Sequence, residues 1–214
     1  YLMECIDTGW VSANGRFIKE FEKKFAEYCG TKYAVSCSNG TVSLHLIMLA
    51  LGIGPGDEVI MPTLTYIATA NAVKYCGATP VFVDSEEGTF NMDATKIEEK
   101  ITERTKAIMP VHLYGLSCDM DPIMEIADKY HLFVVEDAAE AHGAVYKGRK
   151  VGSMGIAASF SFFGNKVITC GEGGMVTTDD EELYKKMMLI KSQGVSPDKR
   201  YWHLITGYNY RMTN

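Results

Sequence analysis

Leu132-Phe-Val-Val-Glu-Asp-Ala-Ala-Glu-Ala-His-Gly143 joins an unbroken apolar run to a series of titratable side chains. The run Phe133-Val-Val135 predicts a strand that is covered on both faces, and Ile108-Met-Pro-Val111 has the same character. Strands of this kind belong to parallel sheets flanked by helices, where ligands bind outside the carboxyl ends of the strands. The polar residues that follow each strand are therefore the first candidates for a functional site.

Short apolar, β-branched runs alternate with amphipathic stretches along the whole chain, which predicts an α/β fold. One helical face carries Phe17, Ile18, Phe21, Phe25 and Tyr28, and another carries Leu44, Ile47, Met48 and Leu51. A third helix is predicted from Glu181 to Ser192, between Asp180 and Gly194. The seven predicted strands are Tyr33–Cys37, Glu58–Met61, Pro80–Asp84, Ala107–Val111, Leu132–Glu136, Ala158–Phe162 and Met175–Thr178.

Composition limits the class of protein. The chain has 214 residues, of which 47% are apolar and 22% charged, so one large domain is expected. Its net charge of −6 contains no block of like charges, which argues against nucleic acid or an anionic membrane as the main partner. Neither a membrane-spanning run nor a signal-peptide pattern is present, so we expect a cytoplasmic protein.

The cysteines and the two ends of the chain carry further expectations. The six cysteines are scattered without a C-x-x-C pair, which favours reduced thiols over a zinc site or a disulfide framework. The chain begins at Tyr1 without an initiator Met and stops at Asn214 without a terminating pattern. We therefore expect a fragment of a longer protein.

Lys166 is the principal catalytic candidate. It closes the segment Ser161-Phe-Phe-Gly-Asn-Lys166, which leaves a predicted strand, and Gly171-Glu-Gly-Gly174 follows. An amine on a loop between apolar segments can be partly desolvated, which frees its lone pair to form a Schiff base. The alternative is a solvated surface lysine, which is the common fate of this residue type.

Two other strand ends carry candidate ligand-binding residues. Ser38-Asn-Gly-Thr41 opens a helix, where backbone N–H groups can bind an anion, although such a turn can also be a simple helix cap. Tyr66 closes Pro62-Thr-Leu-Thr-Tyr66 and can stack on a flat ligand or belong to the core or its rim. Neither a Walker loop nor a G-x-G-x-x-G fingerprint is present, which excludes a nicotinamide dehydrogenase of the Rossmann type.

The titratable residues after the fifth strand allow two interpretations. Asp137 at a strand end is suited to pair with a protonated ring nitrogen, as a pyridoxal phosphate site requires. Asp137, Glu140 and His142 could instead hold a metal ion, but their spacing fits no common zinc arrangement.

Together these segments resemble the DegT/DnrJ/EryC1/StrS family of sugar aminotransferases, which depend on pyridoxal 5'-phosphate and have fold type I. The resemblance implies a large domain with a mostly parallel seven-stranded sheet and helices on both faces. It also implies an N-terminal arm over residues 1–15, a cofactor-binding domain over 16–214 and a small C-terminal domain beyond Asn214. The motifs that carry it are Ser38-Asn-Gly-Thr41, Pro62-Thr-Leu-Thr-Tyr66, Glu136-Asp-Ala-Ala-Glu-Ala-His-Gly143, Ser159-Phe-Ser-Phe-Phe-Gly-Asn-Lys166 and Gly171-Glu-Gly-Gly-Met175.

The resemblance also implies roles for the candidates. Lys166 would form the Schiff base with the cofactor, and Asp137 would keep the pyridine nitrogen protonated. Tyr66 would stack on the ring, and Glu140 would lie near the phenolic oxygen, where many members have a glutamine. The phosphate would be held by Ser161 with the backbone of Gly40 and Thr41, and by Asn209 of a neighbouring subunit in a homodimer.

The implied reaction moves an amino group from L-glutamate to a nucleotide-linked 4-keto-6-deoxy sugar. The opening Asp7-Thr-Gly-Trp-Val-Ser12 and the Glu140-Ala-His142 variant look most like members that convert GDP-4-keto-6-deoxymannose to GDP-perosamine. Aminotransferases for UDP- or dTDP-linked keto sugars, a related sugar dehydratase and a non-catalytic fragment are the alternatives. Lys166 argues against the dehydratase, which in the family has a histidine at that position.

Overall fold

The computed structural model describes all of residues 1–214. Short 3-10 turns over 94–96, 98–100 and 113–115 complete the secondary structure. The helices are α1 (Leu2–Thr8), α2 (Arg16–Cys29), α3 (Gly40–Leu51), α4 (Ala68–Tyr75), α5 (Met120–Tyr130) and α6 (Glu181–Lys191). The strands are β1 (Tyr33–Cys37), β2 (Glu58–Pro62), β3 (Thr79–Val83), β4 (Thr105–Ile108), β5 (Phe133–Asp137), β6 (Val145–Tyr146), β7 (Arg149–Lys150), β8 (Ala157–Ser161) and β9 (Gly174–Thr178).

Seven strands form one sheet in the order β1-β9-β8-β5-β4-β2-β3, and β6 with β7 makes a separate hairpin. The pairs from β8 to β3 are parallel, whereas β9 is antiparallel to both of its neighbours. The expected mostly parallel seven-stranded sheet is therefore confirmed, with β9 as its one reversed strand.

Two hydrophobic cores cover the two faces of the sheet, because successive side chains along a strand point to opposite sides. Val134 packs in the core beneath α2 and α5, and its neighbour Val135 packs in the core beneath α3, α4 and α6. Ala158 and Ala157 divide between the two cores in the same way. Helices on both faces thus explain why the strands read as unbroken apolar runs.

The predicted boundary of β4 is wrong. We expected a strand over Ala107–Val111, but the structure ends β4 at Ile108. Pro110 has no N–H to donate to a ladder, although its carbonyl accepts the Asp137 N–H at 2.9 Å. Pairing with β5 therefore continues only as an isolated bridge between Val111 and Asp137.

The predicted apolar face of α2 is also wrong at its end. Phe25 is buried, whereas Tyr28 remains 46% exposed. The Tyr28 ring packs against the ammonium of Lys150, which lies 3.5 Å from the ring centroid. A cation–π contact of this kind stabilises an aromatic ring at the surface, so Tyr28 belongs to the rim of this core.

None of the six helices combines the length and the apolarity required to cross a membrane. All six cysteines are free thiols, and four of them are buried. Burial raises the pKa of Cys29 and Cys37 to about 12, so these two thiols are unreactive at neutral pH.

Candidate active site

A cavity of about 590 Å³ opens at the carboxyl ends of the parallel strands. It lies where several strand ends meet, which is the usual ligand site of such sheets. Seven of the eight predicted site residues line it: Gly40, Thr41, Tyr66, Asp137, Glu140, Ser161 and Lys166.

Lys166 extends into this cavity from the loop between β8 and β9. Its side chain is 17% exposed, and Nζ lies 3.6 Å from Oε1 of Glu140. The other carboxylate oxygen of Glu140 accepts the Tyr114 N–H at 2.9 Å. Tyr114 has φ of 50°, in the left-handed region that non-glycine residues rarely adopt. A strained turn thus fixes the carboxylate beside the amine.

Asp137, the last residue of β5, is almost fully buried at the floor of the cavity. Its Oδ2 accepts a hydrogen bond from the Thr69 hydroxyl at 2.8 Å, and its Oδ1 accepts the Ala139 N–H at 3.2 Å. Burial raises the pKa of the Asp137 carboxyl, while these two donors act in the opposite direction. The net effect is a pKa above that of an ordinary aspartic acid, so each hydrogen bond donated to the carboxylate matters for its ionised form.

The start of α3 forms the third wall. The Asn39 side chain caps the helix by accepting the Val42 N–H at 3.0 Å. The first N–H groups of a helix have no partner within it, so the amides of Gly40 and Thr41 are available to an anion. A Cβ on Gly40 would lie 2.8 Å from the Cβ of Ser161. Glycine therefore allows the helix start to approach the Ser161 hydroxyl.

Asn209 lies outside the cavity of its own chain. The side chain is exposed, and its Oδ1 accepts a hydrogen bond from Arg211 Nε at 3.1 Å. Its backbone bridges to Ser192 at the end of α6. The structure thus groups seven candidates and places the eighth on the surface.

The metal alternative finds no support in the geometry. No group of three His, Cys, Asp or Glu side chains is placed to hold a metal ion. His142 packs instead among Phe25, Phe160 and Phe162, and neither ring nitrogen has a hydrogen-bond partner. Burial lowers the pKa of His142, so its ring is neutral at physiological pH.

Several residues of the site were not predicted from the sequence. Thr65 precedes α4 and Thr69 lies in its first turn, and their hydroxyl oxygens lie 2.7 Å from each other. Two threonines four residues apart are too common to be a signal in the sequence. The cavity is further lined by Asn39, Tyr75, Phe163, Asn165 and Glu172.

An amine, a buried carboxylate and a helix start around one cavity are the parts of a Schiff-base site for a phosphorylated ligand. The DegT/DnrJ/EryC1/StrS aminotransferase family matches residues 1–214, and the chain belongs to this family.

Individual relatives agree with this assignment. The chain is 64% identical over 214 residues to GDP-perosamine synthase of Caulobacter vibrioides, covering 100% of this chain and 58% of that protein. It is 58% identical over 214 residues to GDP-perosamine synthase of Escherichia coli O157:H7, covering 100% of this chain and 59% of that protein. The chain thus spans less than two thirds of the length of these relatives.

A solved structure gives the same result. NtdA of Bacillus subtilis, crystallised with its bound cofactor PMP, superposes with a TM-score of 0.92 at 39% identity. The match covers 99% of this chain and 48% of that one. The α/β fold expected from the sequence is therefore confirmed as that of the aminotransferase structures.

The cavity fits pyridoxal phosphate, the cofactor of this family. The close approach of Gly40 to Ser161 leaves a cradle of backbone and hydroxyl donors that suits a phosphate. The Asp137 carboxylate suits a protonated pyridine nitrogen, and Lys166 supplies a primary amine. The donor set thus matches a phosphorylated pyridine aldehyde.

Proposed function

We propose that the protein is a pyridoxal-phosphate-dependent aminotransferase that moves an amino group from L-glutamate to a nucleotide-linked 4-keto-6-deoxy sugar. The favoured substrate is GDP-4-keto-6-deoxymannose, which gives GDP-perosamine, and a role in lipopolysaccharide O-antigen synthesis follows. The observation that carries the proposal is that Lys166 and the buried Asp137 line one cavity with the start of α3. The two perosamine synthases named above support the choice of sugar.

Each proposed role rests on the chemistry of a side chain. When bound, pyridoxal phosphate supplies an aldehyde and an electron-withdrawing ring. The amides of Gly40 and Thr41 and the hydroxyl of Ser161, which line the cavity, would hold the phosphate, and Tyr66 would cover a face of the ring. Asp137 would accept a hydrogen bond from the protonated ring nitrogen.

Lys166 has two tasks in this proposal. Its amine would hold the cofactor through the aldehyde carbon, with loss of water, until the amino donor replaced it. The released Nζ then accepts the proton from Cα of glutamate as general base. Glu140, at 3.6 Å, lies close enough to orient Nζ between the two tasks.

The remaining expectations form part of the proposal. We infer a homodimer in which Asn209 serves the site of a second copy, since its exposed side chain does not line the cavity of its own chain. The division into an arm over 1–15 and a cofactor-binding domain over 16–214 stays a prediction. Nucleotide sugars and glutamate are cytoplasmic metabolites, so we place the reaction in the cytoplasm.

The first test is covalent. The chain is mixed with pyridoxal phosphate, reduced with borohydride and digested, and the peptides are analysed by mass spectrometry. We expect one phosphopyridoxyl group on Lys166. Lys166→Ala should lose both this adduct and the visible absorbance of the complex. An adduct spread over surface lysines, unchanged in Lys166→Ala, would refute the assignment.

The second test concerns the substrate. The full-length protein, loaded with cofactor, is given L-glutamate and then GDP-4-keto-6-deoxymannose, with UDP- and dTDP-linked keto sugars as competitors. We expect glutamate to convert the cofactor spectrum to its amine form and the GDP sugar to restore it. Restoration only by a UDP or dTDP sugar would move the protein to another branch of the family.

A further inference from the structure

Two threonine hydroxyls connect the cavity wall with the buried carboxylate of Asp137. Thr65 lines the cavity, and its Oγ1 lies 2.7 Å from Oγ1 of Thr69. Thr69 is completely buried, and its hydroxyl donates to Oδ2 of Asp137 at 2.8 Å. Since the Thr69 proton is committed to the carboxylate, its oxygen is free to accept from Thr65. The three side chains form one hydrogen-bonded line.

We propose that Thr69, polarised by Thr65, is a positioning residue that keeps Asp137 ionised for the cofactor's ring nitrogen. This inference rests on the proposed function. It adds a role for Thr65 and Thr69, which take no part in holding the phosphate or in the chemistry of Lys166.

The surroundings of Asp137 explain why one hydroxyl matters. The carboxylate has few other sources of stabilisation: the Ala139 N–H at 3.2 Å and the nearby Lys166 side chain. Lys166 would no longer present a free ammonium once it held the aldehyde, which would weaken the second of these. Hydrogen bonds that favour the ionised form offset desolvation, so loss of the Thr69 donor shifts Asp137 toward the neutral acid.

The test is cofactor binding as a function of pH in Thr69→Val and Thr69→Ser. Valine keeps the shape of threonine without the hydroxyl, whereas serine keeps the hydroxyl. A hydrogen bond to a charged group corresponds to about tenfold or more in an equilibrium constant. In Thr69→Val we expect the dissociation constant of pyridoxal phosphate to rise about tenfold at neutral pH. The acid limb of the binding curve, where cofactor binding is lost as the pH falls, should move to a pH about one unit higher.

Thr69→Ser should bind the cofactor within about twofold of the wild type, with an unshifted acid limb. Thr177→Val is the matched control, because Thr177 is also fully buried and its hydroxyl donates to the Gly152 carbonyl at 2.7 Å, outside the cavity. Its cofactor affinity should equal that of the wild type. Thermal unfolding of each variant separates loss of fold from loss of binding.

The outcomes are distinguishable. If the wild type forms no Lys166-dependent complex, the proposed function fails and this inference fails with it. If the wild type binds and Thr69→Val matches Thr69→Ser in affinity and pH profile, only the positioning role is overturned. Should Thr69→Val not fold, Thr65→Val is tested in its place. If Thr65 polarises Thr69, cofactor binding by Thr65→Val should be lost at a higher pH than in the wild type. Loss of binding at the same pH as in the wild type overturns the inference.

Discussion

Replacement of Glu136 by glutamine tests how strongly one buried carboxylate organises the fold behind the active site. Glu136 is completely buried in β5, next to Asp137. Its Oε1 accepts the N–H groups of Met154 and Gly155, each at 2.8 Å. Its Oε2 accepts the Gly152 N–H at 2.9 Å and pairs with His112 Nε2 at 3.1 Å. One side chain therefore satisfies four donors.

The donor role of His112 follows from its other nitrogen. His112 Nδ1 accepts the Cys118 N–H at 3.1 Å, so the ring carries its proton on Nε2 and donates it to Glu136. All four groups around Glu136 are thus donors, and none can accept from an amide.

The size of the expected destabilisation follows from the number of donors around Glu136. The oxygen of glutamine can satisfy one pair of donors, while its NH₂ group would face the other pair. Hydrogen bonds to a charged group contribute about 1.5–3 kcal/mol each, and glutamine leaves two of the four donors without an acceptor. We expect Glu136→Gln to lower the free energy of unfolding by about 4 kcal/mol, a large part of the stability of an ordinary domain.

The effect should depend on pH. Burial alone would raise the pKa of Glu136. The hydrogen bonds from His112 and from backbone N–H groups nevertheless hold this pKa below its ordinary value. A carboxyl whose pKa is lowered by folding contributes stability above its unfolded pKa, and this contribution is lost as the pH falls through the folded pKa. The difference between wild type and Glu136→Gln should therefore be largest near neutral pH and shrink below about pH 4.

The assay is urea unfolding followed by circular dichroism at neutral and acidic pH. Glu98→Gln is the control, because Glu98 is exposed and pairs with Lys129 at the surface; its urea midpoint should not change measurably. A loss below about 1 kcal/mol for Glu136→Gln at neutral pH would refute the reasoning, since it would mean that the amide satisfies the same donors.

Three further substitutions follow from the same structure. Gly40→Ala should weaken pyridoxal phosphate binding at least about tenfold in a titration, because its Cβ would lie 2.8 Å from that of Ser161; Gly88→Ala, in open space, should bind normally. Phe160→Ala should cost about 4 kcal/mol in urea unfolding, since this fully buried ring packs edge-on against Phe25 at 4.9 Å; the exposed Phe90→Ala should cost little. Lys191→Met should lower the free energy of unfolding by about 3 kcal/mol in the same assay, because the buried Nζ of Lys191 donates to Glu22 and to the Ser36 carbonyl. Lys185 is exposed, and a loss for Lys191→Met no greater than that for Lys185→Met would contradict this.

The sequence pattern predicted the strands better than their directions. β1 begins and ends at the predicted residues, Tyr33 and Cys37, because a short, mostly buried run bounded by polar turns favours a strand. The same pattern exists in parallel and antiparallel strands, so the reversal of β9 could not be predicted. Its direction depends on the connection from β8, a loop over 162–173 without the crossover helix that a parallel return requires.

The site residues that could be predicted from the sequence are those of an unusual type at a strand end. Lys166 and Asp137 are charged groups beside apolar runs, which is rare enough to be informative. Thr69 and His112 give no such signal, since a threonine on a helix and a histidine after a strand are common. Their importance comes from partners distant in sequence, Asp137 and Glu136, and only the folded chain brings these together.

The reversed strand also explains why a glycine pair follows the loop that carries Lys166. β9 lies between β1 and β8, so its first residue, Gly174, pairs with Cys37 on one side and with Ser161 on the other. A Cβ on Gly174 would lie 2.3 Å from the Asn39 carbonyl oxygen. The absence of a side chain therefore lets α3 begin directly over the sheet edge. Because β9 returns antiparallel, the Lys166 loop stays at that same edge, so one topological feature brings the amine and the helix start to a common cavity.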